Sequence, residues 1–117
     1  MGNAGEAVAE RPPETGRPVP GGASVTVVRG FYAGLEVPVD RDWLVIGRGR
    51  GADAVFAEQT ISRAHAAIGF DGESFFVQDL GSTNGTRLNG KRQRRAGLSD
   101  GDQLQLGKLR LRVSLPG

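Results

Sequence analysis

The sequence predicts an all-β domain, a sandwich or a barrel. Short runs rich in β-branched and apolar residues recur from Ala23 onward at intervals of roughly 8–12 residues, separated by Gly, Asn and Asp turn signals. No segment past residue 22 carries the sustained 3.6-residue stripe of an amphipathic helix. The composition agrees: 38% of the 117 residues are hydrophobic and 19 are Gly, which suits short strands joined by tight turns.

Met1 to Gly22 holds four of the six prolines and shows no periodicity. It cannot bury enough apolar surface to offset its ordering entropy, so residues 1–22 are expected to form a disordered tail ahead of a domain at 23–117. Thr15, within Pro-Pro-Glu-Thr-Gly-Arg, is a hydroxyl that a kinase could reach and is a candidate phosphorylation site; the plainer reading is that it is simply tail.

From Ala23 the elements follow in order. Ser24-Val-Thr-Val-Val28 is β-branched and predicts a strand, and Gly30 to Gly34 a turn region. Glu36-Val-Pro-Val39 alternates, and its Pro38, which lacks a ladder donor, predicts an edge strand. Trp43-Leu-Val-Ile46 is a continuous apolar run, as in a buried strand. Ala66 to Phe70 and Ser74 to Asp79 flank Asp71-Gly72, a hairpin signal. A short pair, Arg87-Leu88, precedes the Asn89-Gly90 turn. Gln103 to Leu106 reverses through Gly107-Lys108 into Leu109 to Ser114, where Leu109, Leu111 and Val113 face one side and Arg110, Arg112 and Ser114 the other. Trp43, Phe70, Phe75 and Leu80 are expected in the core.

Several function classes fall away. With no Cys and one His, disulfides, thiolate chemistry and a zinc site are not expected, and no cofactor is implied. No apolar run reaches the length of a membrane span. A basic segment followed by an apolar one is missing at the N-terminus, and Glu6 stands where myristoylation needs Ser or Thr; the expected location is the cytoplasm. Gly47-Arg-Gly-Arg-Gly51 follows a strand, but no helix follows it, which argues against a dinucleotide fold, and no Gly-Lys-Ser/Thr completes a phosphate loop. The net charge is +2, and the tail's three Glu against two Arg leave +3 for residues 23–117, little for a generic nucleic-acid binder.

Three loops at strand ends share one chemistry. The first offers Arg48 and Arg50, the second Thr60, Ser62 and Arg63, the third Ser82, Thr83 and Asn84. The third, Gly81 to Thr86, is longer than chain reversal requires and is made only of Gly, hydroxyl residues and Asn. Guanidinium, hydroxyl and amide donors converging at one edge of a sandwich would suit a phosphate carried on a peptide.

At these residues the sequence resembles the forkhead-associated (FHA) family of phosphothreonine-binding domains. The resemblance rests on Gly47-Arg48, Ser62-Arg-Ala-His65, Asp79-Leu-Gly-Ser-Thr-Asn-Gly-Thr86, Leu88-Asn-Gly90, Asp100-Gly-Asp102 and Leu106-Gly107, and covers about residues 24–114. It implies a β-sandwich of two twisted, mostly antiparallel sheets with about eleven strands, binding through loops at one end. It also implies that Arg48, Ser62, Arg63 and Thr83 contact the phosphate or its surroundings and that Asn84 holds the peptide main chain. Thr60 falls where the family often reads a neighbouring side chain; Arg50 and Arg87 are further specificity candidates. Gly47, His65, Gly81 and Gly85 are implied as structural support. The implied partner is a phosphothreonine-containing protein or peptide, a substrate of a Ser/Thr protein kinase or an autophosphorylated kinase.

Two other readings compete with this one. Ser62, His65 and Asp79 suggest a hydrolase, but no Gly-x-Ser-x-Gly elbow or oxyanion element accompanies them, so no catalytic residue is assigned. Lys91-Arg-Gln-Arg-Arg95 is either a solvated basic turn or an accessory anion patch. It supports the alternative of a basic β-domain that binds nucleic acid, against which the few aromatics are not interleaved with Arg. Neither nucleic acid nor membrane is the expected partner.

Overall fold

The computed structural model describes residues 18–116. Eleven strands form: β1 (Ser24–Val27), β2 (Glu36–Pro38), β3 (Trp43–Gly47), β4 (Ala54–Val55), β5 (Ala66–Phe70), β6 (Phe75–Asp79), β7 (Thr86–Leu88), β8 (Lys91–Arg92), β9 (Arg95–Gly97), β10 (Gln103–Leu106) and β11 (Leu109–Ser114). They make a six-stranded sheet, ordered β2-β1-β11-β10-β7-β8, and a five-stranded sheet, ordered β4-β3-β5-β6-β9. Every pairing is antiparallel except β3 with β4. The expected two-sheet, eleven-stranded sandwich is the architecture observed.

Period-2 patterning builds the core. Leu109, Leu111 and Val113 of β11 are buried while Arg110, Arg112 and Ser114 are exposed, as the alternation requires. They meet Val25 and Val27 of β1, Leu104 and Leu106 of β10, and Leu44, Ile46, Ile68, Phe75 and Val77 of the other sheet. Pro38 lies on β2, the outermost strand of its sheet, where a missing N–H costs no ladder bond.

Several sequence expectations need correcting. The first strand ends at Val27, and Val28 leaves it half-exposed. Trp43 and Leu80 are only partly buried. Trp43 lies on the outer face of the five-stranded sheet against Phe76, with ring centroids 6.3 Å apart. The Lys91–Arg95 cluster is not one turn, since Lys91 and Arg92 form β8 and Arg95 opens β9. Of the predicted tail, Val19 packs against the core. The Thr15 candidate lies outside the described residues.

One hairpin delivers the functional end. Asp71 accepts the Glu73 and Ser74 N–H groups at 2.8 Å and Gly72 takes φ +99°, which closes the β5–β6 turn. Pairing then runs from Phe70↔Phe75 to Ala66↔Asp79, and Leu80 N–H to the His65 carbonyl (2.9 Å) extends it. Since His65 N–H also reaches the Ile46 carbonyl (2.9 Å), the end of β3, the start of β5 and the end of β6 share one edge. The loops after β3, before β5 and after β6 therefore emerge together.

Candidate functional site

The first two loops are zipped by their backbones. Arg48 N–H donates to the Ser62 carbonyl and Gly49 N–H to the Arg63 carbonyl, both at 3.0 Å. This contact needs a bare Gly47, because a Cβ there would run into the Arg63 carbonyl. The Arg48 Nε–H donates to the Ile61 carbonyl (3.1 Å), and Ile61 is buried. That bond aims the guanidinium and leaves its terminal N–H groups to point elsewhere.

Asp79 organises the third loop. Its Oδ2 accepts the Gly81 and Ser82 N–H groups at 3.0 Å, and its Oδ1 accepts the hydroxyls of Ser82 (2.5 Å) and Thr86 (2.7 Å). Burial alone would raise the Asp79 carboxyl, but the Ser82 and Thr86 hydroxyls and the loop amides hold it below the usual carboxylate range. The Ser82 hydroxyl in turn accepts Gly85 N–H at 2.9 Å, so its bonds are spent inside the loop. Gly81 (φ +78°) and Gly85 (φ +83°) turn the chain through left-handed conformations that L side chains rarely adopt.

Three bonds join the third loop to the second. Thr83 N–H donates to the Ser62 hydroxyl oxygen (3.1 Å), and the Asn84 side-chain amide donates to the Thr60 carbonyl (2.8 Å). His65, fully buried, makes the third link. Its Nδ1 accepts Ser62 N–H (3.0 Å), so the proton is on Nε2, which donates to the Gly85 carbonyl (2.8 Å). Burial pushes His65 below its ordinary value despite the Gly85 carbonyl and the Asp79 charge, which both favour the imidazolium. The ring is a neutral two-ended strut.

The other sheet closes the wall. Thr60 Oγ1 donates to Glu58 (2.7 Å) and accepts Lys108 N–H (2.7 Å) from the β10–β11 turn. Gly107 at that turn abuts Thr60 so closely that a Cβ would strike the Thr60 backbone.

The family model of the FHA domain matches residues 44–107, which include most of β3 and the three loops that follow β3, precede β5 and follow β6. The chain belongs to the FHA domain family. Among curated relatives, the oxoglutarate dehydrogenase inhibitor of Corynebacterium jeikeium is 37% identical over 91 residues, covering 78% of this chain and 63% of the relative. The glycogen accumulation regulator GarA of Mycolicibacterium smegmatis is 38% identical over 94 residues, covering 80% of this chain and 60% of the relative. The chain thus spans less than two thirds of the length of these curated relatives. A solved FHA domain studied for phosphothreonine-dependent interactions superposes with a TM-score of 0.75 at 29% identity, covering 81% of this chain and 97% of that one. An FHA domain from a Chlamydia trachomatis protein gives 0.75 at 26% identity, covering 81% and 98%.

Within this FHA domain the predicted residues divide into three groups. Arg48, Ser62, Thr83 and Asn84 are drawn together by the bonds above, and Arg63 projects exposed from the same second loop. Gly47, His65, Gly81 and Gly85 shape and link the loops. Of the specificity candidates, Thr60 belongs to the loop network with its hydroxyl turned to Glu58 and Lys108. Arg50 is exposed on the first loop. Arg87 lies on β7 opposite Gln105 and Arg92, its Nη1 near the Gly90 carbonyl (3.4 Å), so it belongs to the sheet rather than to the loops.

Sequence reasoning considered Asp79 only within a motif and as a hydrolase partner, not as the organiser of the loop, and gave Ser82 only a shared role. The signal was present, since Asp followed at +3 by Ser is an Asx-turn pattern in which the carboxylate takes the next loop amides. Thr86, buried with its hydroxyl on Asp79, had the same role.

Proposed function

We propose that this FHA domain is a phosphothreonine-dependent protein-interaction module of Ser/Thr kinase signalling, acting in the cytoplasm and without catalysis of its own. The observation that carries the reading is the cross-loop bond from Thr83 N–H to the Ser62 hydroxyl. With that bond the hydroxyl oxygen accepts one hydrogen bond and its own proton stays available to a ligand, on the same joined loops that carry Arg48 and the exposed Arg63. Hydroxyl, guanidinium and a second hydroxyl on Thr83 make a donor-rich, positively biased site suited to a phosphate dianion. Asn84 spends one N–H on Thr60 and keeps its carbonyl and second N–H for a peptide main chain.

The partner is a phosphorylated protein or peptide, either a kinase substrate or a kinase phosphorylated on itself. The nucleic-acid alternative loses support because the basic cluster offers no stacking platform. Arg95 lies 3.8 Å over the Phe76 ring, and that ring is buried. The test is binding of a phosphothreonine peptide to Arg48→Ala and Ser62→Ala, each checked for an unchanged circular dichroism spectrum. Both should bind at least tenfold more weakly, a loss of about 1.4 kcal/mol or more. Wild-type affinity in both variants would refute the site.

A further inference from the structure

The β1–β2 turn presents an aromatic side chain to solvent on a rigid base. Phe31 is 95% exposed. Its turn is nonetheless well bonded, with Ala33 N–H to the Gly30 carbonyl (3.1 Å), Leu35 N–H to the Tyr32 carbonyl (2.9 Å) and Gly34 N–H to the Val27 carbonyl (2.7 Å). Phe31 stands edge-on to Tyr32, and Tyr32 edge-on to buried Phe56, each at 5.1 Å between centroids. The Tyr32 hydroxyl also accepts Ala57 N–H at 2.9 Å. These bonds and the Tyr32–Phe56 contact fix the turn beneath Phe31, so its ring is held out to solvent by an ordered backbone.

Beside it runs an open groove of about 630 Å³, within the usual range for ligand sites. Phe31 and Tyr32 supply apolar wall, while Arg29, Lys108 and Arg110 supply three positive charges against the single carboxylate of Glu58. Glu58 is itself turned onto the Thr60 hydroxyl and amide (2.7 and 3.0 Å), and its carboxyl is held below the ordinary range by those bonds. Among the described residues no carboxylate closes on Arg29 or Arg110. Val28 and Leu35, both partly exposed, lie on the same turn segment as Phe31.

We propose that this groove is a second, phosphate-independent docking site for an extended partner segment that carries a bulky apolar side chain flanked by Asp or Glu. The apolar side chain packs on Phe31 and Tyr32, and the flanking carboxylates face Arg29, Lys108 and Arg110. Charge complementarity selects an acidic occupant. A single-stranded nucleic acid is disfavoured because Phe31 alone is an open ring; Tyr32 is spent on Phe56 and a strand needs successive platforms. Lys108, which lines the groove, donates its N–H to Thr60 Oγ1 of the loop network, so the two sites adjoin and one partner can occupy both.

The test is selection of random unphosphorylated peptides displayed on phage against the full chain, followed by titration of the strongest sequence. The enriched peptides should combine an aromatic or aliphatic residue with neighbouring Asp or Glu. Phe31→Ser and Lys108→Glu should each weaken them roughly tenfold or more. Ser62→Ala should leave them unaffected, which separates this site from the phosphothreonine reading. Phe31→Ser should unfold at the wild-type temperature, since the ring buries almost nothing. Backbone amide shifts should concentrate at residues 29–35, 57–60 and 105–110. The proposal is overturned if no acidic–apolar class emerges, if Phe31→Ser binds it as well as wild type, or if an oligonucleotide competes it away. Self-association lost on Phe31→Ser would assign the face to a second copy and equally overturn it.

Discussion

Replacing His65 with Leu tests whether the loops are pinned from beneath. The side chain is fully buried, and Leu fills much of the same volume without polar atoms. Two groups then lose their partner: Ser62 N–H, in a half-buried residue, and the carbonyl of buried Gly85. An orphaned buried donor or acceptor costs about 1–3 kcal/mol, so the pair predicts a loss of roughly 2–4 kcal/mol. For a domain of this size that corresponds to a fall in Tm of about 10–30 °C. The assay is thermal unfolding by circular dichroism, with peptide binding measured well below both transitions. Binding should also weaken, because Ser62 loses the bond that fixes its backbone. An unchanged Tm would refute the strut. A lowered Tm with full binding would show that the strut stabilises the fold without placing Ser62.

The same residue predicts a pH effect. Burial holds His65 below its ordinary 6.5 when folded, so as pH falls below about 6.5 the unfolded chain takes up the proton first and stability declines; His65→Leu should flatten urea midpoints across that window. Asp79 works lower, because its carboxyl is held below the usual range when folded, so its contribution is complete above about 3.8 and is lost as pH falls further. Asp79→Asn keeps the shape and one acceptor oxygen, but turns an amide N–H onto two of the four donors that the carboxylate accepts, and it should cost about 1.5–3 kcal/mol by urea denaturation; a change within error would show that the loop closes without the carboxylate. Gly47→Ala forces a Cβ into the Arg63 carbonyl and should cost roughly 1–3 kcal/mol while weakening phosphopeptide binding; an unaffected variant would show that the first two loops can part freely.

Much of this was legible in the residues because strand alternation is a strong signal. β11 has buried residues at Leu109, Leu111 and Val113, as its pattern requires, and Pro38 marked the edge strand. β4, β8 and β9 were not legible. Two or three residues such as Lys91-Arg92 carry no period, and they become strands only because Leu88 and Arg87 lie opposite them. Trp43 misled for a related reason. A four-residue apolar run reads as buried on both faces, yet Trp43 packs on an outer face whose cover is Phe76 and Arg95, which come from strands far along the chain. At the site, the loop residues could be named from their chemistry and order. Which hydroxyl points outward was implied only by the family resemblance, which singles out Thr83, and not by the chemistry, because Ser82 and Thr83 differ only in the bonds they make. Ser82 is spent on Asp79 and Gly85, whereas the Thr83 side chain is exposed.

Three matched peptides that differ at one position, carrying phosphothreonine, phosphoserine or threonine, decide whether the loops recognise phosphothreonine. Titrated calorimetrically against the chain, the phosphothreonine peptide should bind with micromolar affinity, about −8 kcal/mol. Its phosphoserine twin should bind much more weakly, because the threonine methyl has to be met by a small apolar niche, and the unphosphorylated peptide should not bind measurably. Equal affinity for all three would contradict the account.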